Sequence, residues 1–149
     1  MFRVLPALGA LLMTICLAGC AAFSPFSAFM SPLDCMTRVM YFESNRSSAD
    51  GMLAVGTVVM NRVNDPKFPH SVCGVVGQPN QFAPGVLWLP MKSGRGLSLA
   101  RQMASRVLGG QRHPEVGSAE YFHTAGYSFP YTNMHYVAVA GGNAFYWKS

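Results

Sequence analysis

The chain has 149 residues, half of them hydrophobic and 11% charged, with a formal net charge of +5. Its basic residues are dispersed, apart from the row Arg95, Arg101, Arg106 and Arg112, and they do not interleave with aromatic rings, which argues against a nucleic-acid partner. Its four histidines show neither HExxH nor a comparable ligand spacing, which argues against a zinc amidase or peptidase, so no metal and no other cofactor is expected.

At the N-terminus, Arg3 precedes an apolar run from Val4 to Leu17, interrupted only by Pro6, Gly9 and Thr14 and followed by Ala18 and Gly19. The run is short for a bilayer span and has the layout of a secretory signal, so residues 1–19 are set aside from the fold. Leu17-Ala18-Gly19-Cys20 resembles a bacterial lipobox, and that resemblance implies cleavage before Cys20, which then carries the acyl chains. An exported lipoprotein facing the periplasm is therefore expected, attached to a membrane through lipidated Cys20. Ala21 stands where an aspartate would resemble an inner-membrane retention signal, which favours the outer membrane. Residues 20–32, small and punctuated by Ser and Pro, read as a tether, and residues 33–149 as one domain. Loss of Arg3 with the signal leaves ten basic and six acidic side chains, a net +4 that suits an anionic polymer outside the cytoplasm.

Cys35 and Cys73 are left as an even pair in an oxidising compartment, readable as a disulfide or as two buried thiols. The disulfide reading disfavours a cysteine peptidase.

A first helix is predicted over Asp34 to Phe42 from the apolar stripe Cys35, Met36, Val39, Met40, with Asp34 as its N-cap or first-turn acid. The polar run from Ser44 to Ser48 breaks it. A second helix is predicted from Ser47 or Ser48, with Asp50 in its first turn, a loose Ser47-x-x-Asp50 capping box, and an end at Asn61-Arg62. Glu43 would then lie at the C-terminal end of the first helix beside Tyr41 and Phe42. Helix carbonyls and neighbouring rings both disfavour a carboxylate there, which prepares a general acid, whereas Arg46 could oppose this by pairing with it. Val72 to Val76 reads as one short helical turn inside an irregular region that runs to Gly96. Leu97 to Leu108 is an amphipathic helix stopped by Gly109-Gly110, its arginines a solvated face. Ala119–His123, Tyr136–Ala140 and Ala144–Trp147 read as short strands, with Gly141-Gly142 as a hairpin-like turn and Glu120 turned to solvent. His123 is a candidate cleft residue, and Tyr146 and Trp88 are each either core or sugar-contacting.

Four pieces in order carry a resemblance. The stretch from Tyr41 to Val63, YFESNRSSADGMLAVGTVVMNRV, resembles the SleB/CwlJ-type cell wall hydrolases, whose pattern runs roughly Y-x-E-A-R-G-E-x-x-x-G-x-x-A-V-A-x-V-V-x-N-R-V. FPHSVCGVVGQPNQF, AEYFH and GGNAFYW resemble later segments of the same family. The resemblance implies an α+β fold: a mainly helical lysozyme- and lytic-transglycosylase-like domain with a small antiparallel sheet near the C-terminus. It implies cleavage of peptidoglycan glycan strands between N-acetylmuramic acid and N-acetylglucosamine, with the catalytic acid on Glu43 and substrate contacts at Tyr41, Gln81, Phe82, His123 and Tyr146. Asn45 and Arg46 replace the Arg and Gly that follow the family's E-A, and two further departures bear on the chemistry. Ser47 replaces a second glutamate and Asn143 a histidine. Loss of the second carboxylate favours a lytic transglycosylase working with one glutamate. A muramidase-type hydrolase and a non-catalytic peptidoglycan-binding lipoprotein are the alternatives, and an envelope protein partner is left open.

Overall fold

The computed structural model describes residues 30–149. The signal reading, Cys20 and most of the tether lie outside the described residues. Pro32, the last residue assigned to the tether by composition, is instead the first residue of helix α1 (Pro32–Glu43). Ser31 caps that helix by accepting from the Asp34 amide, so Asp34 is a first-turn acid and not the cap. Met30 packs against the core.

Helix α2 (Ala49–Asn64) follows after the polar break. Ser48 caps it by accepting from the Gly51 amide, while Ser47 turns back to the Asn45 side chain, so the expected Ser47–Asp50 capping box does not form. The helix runs past Asn61-Arg62 to Asn64, and everything from Gly51 to Val59 is buried. A helix apolar on most sides needs neighbours on most sides. Here they are α1, the short α3 (Val72–Val76) and α4 (Arg95–Leu108), which starts two residues before the predicted Leu97. Gly56 lets the three long helices approach, since a Cβ there would lie 2.3 Å from the Met40 Cε and 3.0 Å from Val107. Cys35 on α1 and Cys73 on α3 form a disulfide with a Cα–Cα distance of 5.2 Å.

Strands β1 (Tyr121–Thr124), β2 (Met134–Ala140) and β3 (Asn143–Lys148) form one antiparallel sheet in the order β1-β3-β2. The β2–β3 hairpin turns at Gly141 and Gly142, whose φ values of 56° and 87° suit a turn made by glycine. One sheet face puts Phe122, Phe145, Ala138 and Ala140 into or against the core. The other face aligns Tyr121, Tyr146 and Tyr136 in one cross-strand row, with His123 beside them. Glu120, expected to turn to solvent, is largely covered and bridged to Asp65 through Lys67. The described residues form an α+β architecture of four helices and a small C-terminal sheet.

Candidate active site

Glu43 is the last residue of α1, where the final carbonyls must find partners beyond the helix. Asn143 Nδ2, at the start of β3, donates to the Glu43 carbonyl at 2.7 Å, so the hairpin fixes the helix end. The position that departs from the family histidine thus carries a buried structural bond. The Gly141 turn brings Asn143 there by pressing on the first turn of α2: a Cβ on Gly51 would lie 2.5 Å from the Gly141 Cα.

The Glu43 carboxyl is half-buried and accepts a hydrogen bond from the Ala83 amide. Burial pushes its pKa above the ordinary glutamate value. The Ala83 amide and the positive charge of Arg62 oppose that rise without cancelling it. Arg46 does not pair with Glu43. Its guanidinium lies over the Tyr41 ring, 4.2 Å from the centroid.

Arg62 is the residue that the sequence reading missed. It had only marked the end of α2, yet it is 3% exposed. Its Nε donates to the Glu120 carbonyl at 2.7 Å and its Nη1 to Gln81 Oε1 at 3.2 Å. Its guanidinium lies 5.2, 5.1 and 5.5 Å from the ring centres of Phe68, Phe82 and Tyr121. Burial holds its pKa below the usual arginine value, against Tyr121, Glu120, Tyr146 and Glu43, which favour the charged form. The 81–83 turn is therefore held at both ends. Arg62 grips Gln81 and backs Phe82, and Ala83 meets Glu43.

The structure brings Glu43, Gln81 and Phe82 together and joins Tyr146 to them across Arg62. Tyr146 stacks on Tyr121 with centroids 5.6 Å apart, and burial raises the pKa of its phenol. His123 continues the surface. Its Nδ1–H donates to the Thr124 carbonyl at 2.8 Å, which leaves Nε2 to accept the Tyr136 hydroxyl at 2.7 Å. Trp88 is an exposed side chain, 61% accessible, not core. Tyr41 lies apart from this group. It is buried, and its hydroxyl accepts from the Lys92 amide at 3.1 Å. Among the described residues, no three His, Cys, Asp or Glu side chains gather as metal ligands. A half-buried carboxyl that keeps its proton to higher pH, beside amide and aromatic groups, can donate that proton to an oxygen seated on them.

A family profile described as cell wall hydrolase matches residues 46–146, so Glu43 lies three residues ahead of the matched span. The chain is 32% identical over 90 residues to a spore cortex-lytic enzyme of Halalkalibacterium halodurans, a match covering 58% of this chain and 26% of that protein. It is 37% identical over 57 residues to the Oceanobacillus iheyensis enzyme of the same name, covering 36% and 21%. The chain thus spans about a quarter or less of these relatives. The fold resembles the catalytic domain of the Bacillus cereus SleB protein at a TM-score of 0.63 and 24% identity, covering 77% of this chain and 88% of that one. It also resembles the catalytic domain of the germination-specific lytic transglycosylase SleB of Bacillus anthracis, at a TM-score of 0.62 and 23% identity, covering 85% and 98%. By the profile match over most of its length, this chain belongs to the cell wall hydrolase family.

Proposed function

We propose that this protein cleaves the glycan strand of peptidoglycan between N-acetylmuramic acid and N-acetylglucosamine, acting as a lytic transglycosylase with Glu43 as its one general acid and base. The observation that carries the reading is the setting of Glu43: a half-buried carboxyl with a raised pKa, whose charged neighbour is Arg62 and not a second carboxylate. Family membership and the names of the relatives support the substrate class.

The chemistry needs one proton carrier. Protonated Glu43 gives its proton to the glycosidic oxygen as the bond from that oxygen to the muramic acid C1 breaks. The 6-hydroxyl of the same sugar then attacks C1 and returns its proton to Glu43. The products are a strand ending in a 1,6-anhydro ring and a strand with a free 4-hydroxyl, and the enzyme is restored. A hydrolase would instead place a water on C1, and in the inverting case a second carboxylate would activate it. Ser47, at the position of the family's second glutamate, is exposed and hydrogen-bonded to Asn45, so it offers no such group. Gln81 is exposed and supplies an amide for N-acetyl groups, whereas Phe82 and Tyr146, each only 8% exposed, shape the wall behind it instead of offering an open ring face.

Digestion of purified sacculi followed by mass spectrometry of the soluble fragments tests the proposal. Anhydro-ended muropeptides are expected from the wild type, and Glu43→Gln is expected to lower their yield by about a hundredfold or more while the protein stays folded. Reducing ends would establish a hydrolase. Sacculus binding with no solubilised product, unaffected by Glu43→Gln, would leave a binding protein.

A further inference from the structure

Tyr41 and Glu43 are two residues apart, about 200° around a helix, and so they serve different sides of the end of α1. On the Tyr41 side, the Arg46-Ser47 turn and the segment from Lys92 to Leu99 surround an open pocket of about 1130 Å³. Arg46, Lys92 and Arg95 stand on it and no acidic residue does. Among the described residues none of the three forms an ion pair: Asp34, Asp50, Asp65 and Glu120 are engaged with Arg101, His113 and Lys67, and neither Glu43 nor Glu115 pairs with a cation.

Arg46 is held in place rather than left to sweep solvent. Besides lying over Tyr41, it donates from Nε to the Tyr41 carbonyl at 3.3 Å. Its two terminal nitrogens have no partner among the described residues, and a fixed guanidinium with a free edge suits a carboxylate. Gly96 permits the placement, since a Cβ there would lie 3.1 Å from the Arg46 Cβ and 3.3 Å from its carbonyl oxygen. The Tyr41 hydroxyl pins Lys92 through its backbone amide. The first turn of α4, which has no acidic residue and no side-chain cap, adds to the positive field but would not make a site alone.

The sugar backbone of a glycan strand is uncharged. Its negative charge lies on the peptide stems, which hang from the lactyl groups of muramic acid and end in carboxylates. A concave surface of one sign, beginning three residues from the candidate acid, matches that distribution. We propose that this pocket is a subsite for the stem-peptide carboxylates of the strand being cut, so that the enzyme prefers strands carrying acidic stems. The proposal rests on the glycan-cleaving reading.

The test compares strands that keep their stems with the same strands stripped by an amidase, at low and high salt. At low salt the wild type should show kcat/KM about tenfold higher on stem-bearing strands, a preference that shrinks with salt. Arg46→Gln with Arg95→Gln should bring the ratio to about one, whereas Arg106→Gln, outside the pocket, should keep it. A wild type without preference would overturn the subsite, as would a double variant that keeps the wild-type preference. Binding of phosphatidylglycerol vesicles that these substitutions abolish, with the strand ratio unchanged, would overturn it in favour of a membrane site. Cleavage of neither form would instead refute the glycan-cleaving reading. The subsite would then stand or fall on equilibrium binding of the two strand forms, with equal affinity overturning it.

Discussion

Glu43 is placed where an ionised carboxylate is costly, and that cost has a sign that can be measured. Its folded pKa lies above the unfolded value, so folding takes up a proton between the two and stability falls as pH rises through that window. Glu43→Gln removes the penalty while keeping an oxygen for the Ala83 amide. The variant that loses turnover should therefore be as stable as the wild type at pH 4, below the ordinary glutamate value, and more stable at pH 8, by thermal melts at both values. A lower melting temperature at pH 8 would mean that the carboxylate stabilises the fold. Arg62 works in the opposite sense, holding the Glu43 pKa down, while Glu120, Lys67, Tyr121 and Tyr146 are the other titratable groups around it. Arg62→Met should shift the high-pH limb of the rate profile upward, because Glu43 then keeps its proton longer. It should also lower the maximum rate, as the 81–83 turn loses its grip, and cost about 2–4 kcal/mol through the unpaired Gln81 and Glu120 oxygens. Arg62→Lys keeps the charge without the two-directional reach, so the limb should stay while the rate falls. An unmoved limb in Arg62→Met would show that Glu43 does not sense this charge.

At the scale of elements, α4 and the β2–β3 hairpin were legible because each is written locally, the helix in its apolar stripe and the hairpin in Gly141-Gly142. Glu43 at a helix end was legible for the same reason, since the Ser44–Ser48 run says where α1 stops. Its partners were not. Ala83 is forty residues away and offers only a backbone amide, which no side-chain pattern marks. Arg62 at the end of an amphipathic run looks like a solvated cation, and burial among Phe68, Phe82 and Tyr121 arises only when α2 meets the 68–82 region and β1. Gly51 carries no side chain for a pattern to mark, yet its contact with Gly141 places Asn143 against Glu43. Gly51→Ala would press a methyl group into backbone and not into a movable side chain. The expected cost is about 1–3 kcal/mol in denaturant melts. Activity should fall further than the loss of folded protein explains, since the end of α1 loses its anchor. Unchanged stability would mean that the hairpin can shift aside freely.

The Cys35–Cys73 disulfide links α1 to α3 and closes the part of the chain that carries Glu43 and Arg62. The 38-residue separation contains Glu43, all of α2 and Arg62, while Gln81, Ala83 and the sheet lie outside it. A bond of this span stabilises chiefly by restricting the unfolded chain, by about 3–4 kcal/mol in the loop-entropy view. Replacement of both cysteines by serine, or full reduction, should lower the melting temperature by roughly 10–15 °C for a domain of this size. The site should change less than the stability. Glu43 is fixed locally by Asn143 and Ala83, and Arg62 by Glu120 and Gln81, none of which depends on the sulfur link. Below its new melting temperature, the reduced protein should therefore keep about half or more of its rate and its pH profile, because a change acting through the unfolded state leaves native contacts in place. A collapse of activity on reduction, with the fold intact by circular dichroism, would show that the bond holds the active geometry directly. The separation between the two bonded helices would then be part of the catalytic design.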